Sequence, residues 1–245
     1  MKQSICIFLA ALVALGLAGC AAPSAPLMLE EHALSAAPGT DSFSFQPAQG
    51  TQEGILAAHA AQRAAIYSIP VNVVDGNLAI ASLGENGDLT AALFTAPDTQ
   101  EQTVKVVRGD REVFATSAGM PSPVLPLQGL WTYNGHWALE ILLADQDTWA
   151  GQVFIDGKLV NDAQKYDEAF GFQLLAGRPF FFFSRGGKIG YSYDGRETDL
   201  GYDRIPHYQC CSESVQNPIQ AKEMVAFFAL RGETWYYVEL GDFGK

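Results

Sequence analysis

The chain has 245 residues, with 15 Lys or Arg against 27 Asp or Glu and a formal net charge of -12 at pH 7. An acidic surface repels phosphate, so nucleic acid is excluded as an expected partner and anionic lipid headgroups are equally unattractive. At 48% hydrophobic and 17% charged residues the chain has ample material for a core, and its length suits one domain or at most two small ones.

The N-terminus, MKQSICIFLAALVALGLAGC, has one positive charge at Lys2, an apolar run from Ile5 to Leu17 and then small residues. The pattern predicts a secretory signal, since the run is too short to span a bilayer. Leu17-Ala18-Gly19-Cys20 resembles the lipobox of bacterial lipoproteins. That resemblance implies removal of residues 1–19 and lipidation of Cys20, with two or more acyl chains, enough for stable anchoring. It also implies a location in the bacterial cell envelope facing outside the cytoplasm. With Ala21 rather than Asp after the cysteine, it implies the outer membrane where the source has one. Read without the resemblance, the same residues fit a plain signal cut between Ala18 and Ala22.

Residues 20–52 are rich in Ala, Pro, Ser and Gly and lack a sustained period, which predicts a flexible linker in which Leu27–Leu34 offers at most a turn of helix. Residues 53–245 are expected to form a β-rich extracytoplasmic domain. It opens with an alanine-rich helix over Glu53–Tyr67, whose Ile55, Ala58, Gln62 and Ile66 share a face.

From Ile69 onward short apolar runs alternate with two-residue turn signals: Asp75-Gly76, Asn86-Gly87, Asn134-Gly135, Asp156-Gly157, Gly186-Gly187 and Asp194-Gly195. These pairs supply the positive φ angles of tight hairpins. GLWTYNGHWALEILL, GFQLLAGRPFFFFSR and AFFALRGETWYYVEL resemble one another, each an apolar strand, a glycine turn and an aromatic or β-branched strand. The fold class predicted is mainly β, made of antiparallel hairpin repeats in a propeller-like or β-sandwich arrangement, with one or two short helices. The second helix is placed at Asn217–Met224, with Asn217 as N-cap and Pro218 at the first position. Ser192-Tyr193-Asp194-Gly195 resembles part of the Asp-box of sialidase-type propellers, but the glycine directly follows the aspartate and no tryptophan follows. That departure leaves no sialidase site to expect.

Once the signal and Cys20 are set aside, two cysteines remain, Cys210 and Cys211. In an oxidising compartment their one intramolecular partner is each other, in a strained vicinal disulfide, because adjacent Cα atoms lie about 3.8 Å apart, or about 2.9 Å across a cis peptide. Reduced, buried thiols that act as small apolar residues are the alternative. With His207 the pair could also ligate zinc or copper(I), although adjacent cysteines fit a tetrahedral ion poorly, so no cofactor is expected.

Tyr-Asp recurs at Tyr166-Asp167-Glu168, Tyr193-Asp194 and Tyr202-Asp203. If the repeats stack, these pairs, with Asp167, Glu168, Tyr202 and Asp203, could line one rim and bind Ca²⁺ or sugar hydroxyls, and a ligand face is also expected at His207 and Tyr208 beside Cys210-Cys211. The alternative is that the aspartates satisfy turn backbone. Trp131, Tyr133 and Trp137, near His136, are expected in the core. Arg108-Gly109-Asp110 matches an adhesion tripeptide but reads as a hairpin turn. Enzyme motifs are absent, although Glu140, Asp145 and Asp147 could supply an acid and a base. The function expected is a membrane-anchored module that binds an unknown small molecule, glycan or protein. An extracytoplasmic glycoside hydrolase or thiol redox enzyme is the alternative.

Overall fold

In the computed structural model the residues described are 26–38, 72–74, 77–84, 87–145, 148–208 and 217–242. The signal segment, Cys20, the Glu53–Tyr67 helix, Asp147 and the Cys210-Cys211 pair lie outside them.

The described chain is a succession of strands paired mostly antiparallel. These are β1 (Met28–Ala33), β2 (Asn72–Val74), β3 (Asn77–Ala81), β4 (Leu83–Gly84), β5 (Leu89–Thr95), β6 (Gln102–Arg108) and β7 (Arg111–Gly119). Then come β8 (Leu127–Tyr133), β9 (His136–Asp145), β10 (Thr148–Ile155), β11 (Lys158–Leu159) and a short helix, α1 (Val160–Gln164). The C-terminal part holds β12 (Glu168–Leu175), β13 (Arg178–Arg185), β14 (Lys188–Tyr193), β15 (Arg196–Asp199), β16 (Ile219–Gln220), β17 (Met224–Arg231) and β18 (Thr234–Gly241). The protein is mainly β, as the turn chemistry predicts. Asn134-Gly135, Asp156-Gly157 and Asp194-Gly195 all have positive φ at both turn positions, which is the conformation that lets a two-residue turn match the strand twist.

Three sheets form. One has the order β12-β13-β14-β15 and another β16-β17-β18-β1. The third has ten strands, but among the described residues its two meanders, β2 to β7 and β8 to β11, are paired only where Leu83 and Gly84 lie parallel to Trp131 and Thr132 and where Gly119 pairs with Ala144. The three similar sequence segments are the hairpins β8–β9, β12–β13 and β17–β18, one in each sheet.

Apolar clusters lie between successive meanders. Leu89, Val104 and Val106 pack with Leu130, Leu139 and Ile141. Trp131, Tyr133 and Val153 pack with Phe172, Phe181 and Phe183. Phe170, Phe180 and Phe182 pack with Val225, Phe227 and Val238. The run of four phenylalanines in β13 is thereby explained: alternate side chains fill two different cores, so both faces of the strand must be apolar.

Two expectations are corrected. Within the segment read as linker, Leu27–Leu34 makes no turn of helix: Met28–Ala33 is strand β1, paired residue for residue with β18. Its partner lies at the other end of the chain, so no local period announces it. The helix expected at Asn217–Met224 is also absent. Asn217 does not cap: its Oδ1 accepts from Phe228 N at 2.8 Å and its Nδ2 donates to Phe228 O at 3.0 Å and to Pro206 O at 2.7 Å. The amide thus replaces a peptide group at the edge of β17, and Ile219–Gln220 continue that pairing as β16. Asn161 of α1 does the same at β10, accepting from Val153 N and donating to Gly151 O. These bonds satisfy backbone groups that burial would otherwise leave unpaired.

Candidate functional site

The residues expected to bind a ligand divide into three settings. In the first, Tyr-Asp pairs build a repeated lock. Tyr166 donates its hydroxyl to Glu197, Arg185 pairs with Glu197 and lies over the Tyr166 ring at 4.9 Å, and Asp167 accepts from Gly186 N at 2.6 Å. Tyr202 donates to Glu31, Arg231 pairs with Glu31 and lies over the Tyr202 ring at 4.5 Å, and Asp203 accepts from Gly232 N at 2.7 Å. In both cases Arg-Gly closes the second strand of a sheet and the glutamate stands on the fourth. Asp167 and Asp203 therefore satisfy turn backbone, while Asp194 pairs with Arg178. The arginine holds each glutamate carboxyl below its ordinary range, with help from the tyrosine.

The second setting is buried. Glu140 on β9 is 3% exposed and receives Gly171 N at 2.9 Å, Phe172 N at 2.6 Å and the Tyr208 hydroxyl. A bulge in β12 between Phe170 and Gln173, with Gly171 at φ 66°, turns both N–H groups toward the carboxylate. Burial pushes the Glu140 carboxyl up, against the downward pull of these donors and of His207. Burial and the Glu140 charge push the Tyr208 hydroxyl well up. Beside them His207 stacks on Phe170 with centroids 3.6 Å apart, donates through Nδ1 to Ile205 O, and meets Glu168 through Nε2 at 3.0 Å. Glu168 also receives Gly151 N at 2.8 Å. The structure thus brings together His207, Tyr208 and Glu168, adds Glu140, and engages their polar atoms with one another and with nearby backbone.

The third setting is open to solvent. A groove of about 360 Å³ has Tyr133, His136, Asp156 and Lys158 around it and Ile155, Leu159, Val160 and Ala163 as its apolar surface. It arises from register: Ile155 pairs with Ala138, so the turn after β10 falls beside the start of β9. Asp156 Oδ1 accepts from Trp137 N at 3.0 Å and Oδ2 binds His136 Nδ1 at 2.6 Å, which fixes the imidazole with its Nδ1–H on the carboxylate. The free Nε2 can accept or pass a proton. The described lining residues offer acid–base groups and hydrogen-bonding partners. Burial, with the Asp156 charge adding, pushes the Tyr133 hydroxyl up to about 12.

Tyr133 and Trp131 are core residues as expected, at 7% and 8% exposure. Sequence reading missed Asp156 and Lys158 as anything but turn residues. The signal that could have found them is the spacing of two consecutive tight turns, which sets His136 and Asp156 side by side once the hairpin register is drawn.

Arg108-Gly109-Asp110 forms the β6–β7 turn, with Arg108 paired to Asp88 at 2.8 Å. Among the described residues no group of three or more His, Cys, Asp or Glu could hold a metal ion, and no helix is long and apolar enough to cross a membrane. No protein-family model, curated protein or solved structure matches this chain.

Proposed function

We propose that the protein is a ligand-binding module held outside the cytoplasm by a lipid on Cys20. The observation that carries the binding reading is the groove between Tyr133, His136, Asp156 and Lys158: an apolar surface with a few convergent polar groups, about 360 Å³ in volume, which lies within the size range of small-molecule sites. The ligand face is assigned there rather than to His207 and Tyr208, because those two side chains are engaged inside the fold. Binding is tested by melting the full chain against a panel of sugars, carboxylic acids, amines and peptides, since a ligand of the native state alone raises the melting temperature. A panel with no effect on the wild type would remove this reading. The tether rests on Leu17-Ala18-Gly19-Cys20 and is tested by palmitate labelling, which should appear on the wild type and vanish in Cys20→Ala.

The repeated Tyr-Glu-Arg-Asp lock supports a propeller-like arrangement over a sandwich. The glutamate on the fourth strand comes from β15 in one sheet and from the N-terminal strand β1 in the next, so the chain's start completes its last sheet. Closing a ring of sheets with a strand from the other terminus protects edges that a linear stack leaves open. Spin labels at Asp98 and Glu233, in turns of the first and last meanders, should then be no farther apart than labels at Asp98 and Lys188. A first-to-last distance well beyond that would rule out the ring.

A further inference from the structure

Resting on the groove as the binding site, we infer that its ligand is a small monocarboxylate with an apolar body. Lys158 is exposed and has no ion-pair partner among the described residues, although Asp156 is close in sequence. Both oxygens of Asp156 are engaged, one by His136 and one by Trp137 N, so the aspartate serves to orient the imidazole. An ammonium ligand would face Lys158 beside an Asp156 whose two oxygens already hold His136 and Trp137 N.

His136 has its Nδ1–H committed to Asp156, so its Nε2 lone pair can accept from a ligand hydroxyl and meets a carboxylate oxygen only when that nitrogen also carries a proton. A sugar is disfavoured because Tyr133, the one phenol or indole ring among the described lining residues, is 7% exposed and offers no open face for stacking. Ile155, Leu159, Val160 and Ala163 suit an aliphatic body. One lysine in a chain of net charge -12 matches one negative charge rather than a phosphate dianion.

The test is a titration of the purified full chain with hexanoate, 1-hexanol and hexylamine, read from the backbone amide resonances of residues 155–163, on wild type and on Lys158→Gln. Hexanoate is expected to shift these resonances with a Kd at least about tenfold below that of hexanol, and hexylamine to be weakest. Lys158→Gln should abolish the preference for hexanoate and leave hexanol binding unchanged. Equal binding of hexanoate and hexanol by the wild type, or a preference that survives in Lys158→Gln, would overturn the carboxylate while leaving the groove as the site. If no probe moves residues 155–163 and the wider melting panel is also silent, the binding reading falls together with this one.

Discussion

The hydroxyl of Tyr202 donates to Glu31, a residue 171 positions earlier, at 2.5 Å, and Arg231 holds the same carboxylate from its other side. Tyr202 is 1% exposed, so Glu31 supplies an acceptor that a buried hydroxyl needs, and it does so from the edge strand β1. Arg231, then Tyr202, keep the Glu31 carboxyl below its ordinary value of 4.5. A depressed carboxylate contributes stability above the unfolded value and loses it as pH falls through the folded one. Acidification below about pH 4.5 should therefore loosen β1 before β17 and β18. The check is amide exchange corrected for intrinsic rate. Glu31→Gln should show the loosened β1 at neutral pH as well, at a cost of about 1 kcal/mol, since the pair is partly exposed. Protection of β1 that does not change with pH in the wild type would contradict the lock.

Glu140→Gln is expected to destabilise the fold by about 1–3 kcal/mol in urea unfolding. Its amide oxygen can take one of the two N–H groups of Gly171 and Phe172, but its NH₂ then faces the other. The pH dependence has the opposite sign to that of Glu31. Burial raises the folded-state value above 4.5, so this carboxyl's contribution is fully present below 4.5 and is lost as pH rises through the folded value. The stability gap between wild type and Glu140→Gln should thus narrow as pH rises from the acid side. A gap that widens would mean that the three donors outweigh desolvation.

Asp167→Ala and Asp203→Ala each remove the acceptor of one turn N–H, Gly186 and Gly232 respectively. Each should cost about 0.5–1.5 kcal/mol, and the double variant should be additive, because the two turns belong to different sheets. Ligand-induced melting shifts should be unchanged in both. A lost shift would return these aspartates to a binding role.

How much of this was legible follows from how local each signal is. Asn134-Gly135 and Asp156-Gly157 announce their hairpins within four residues, and those hairpins formed with both turn φ values positive. The recurrence of Tyr-Asp was visible too, but its meaning was not, because the glutamate that completes the second lock stands 171 positions from its tyrosine. Glu140 read as an unplaced carboxylate, since the bulge that aims Gly171 and Phe172 at it has no signature beyond a single glycine. Asn217-Pro218 carried the right residues for a helix start, and the backbone of Phe228 in β17 took the asparagine side chain instead. The strand β1 sat in a segment of linker composition, and its partners, β18 and the Tyr202–Arg231 lock, stand far along the chain.

Both joins between the first two meanders use a glycine for room as well as for conformation. A Cβ on Gly84 would stand 2.1 Å from Thr132 O, and one on Gly119 would stand 2.0 Å from Ala144 O, distances at which backbone must move. Gly135 has nearly the same φ as Gly119, 78° against 77°, but nothing lies within 4 Å of its Cβ position. Gly135→Ala should therefore cost only the left-handed backbone term, about 1–2 kcal/mol. Gly119→Ala should cost that and, in addition, the contact between β7 and β9 that its pairing with Ala144 makes. Urea unfolding of the two variants isolates the second contribution as their difference, and amide exchange should rise at Gly119, Met120 and Ala144 only in Gly119→Ala. Equal costs would mean that the two meanders are held together by the Leu89–Val106–Leu139 core and gain nothing from the strand contact.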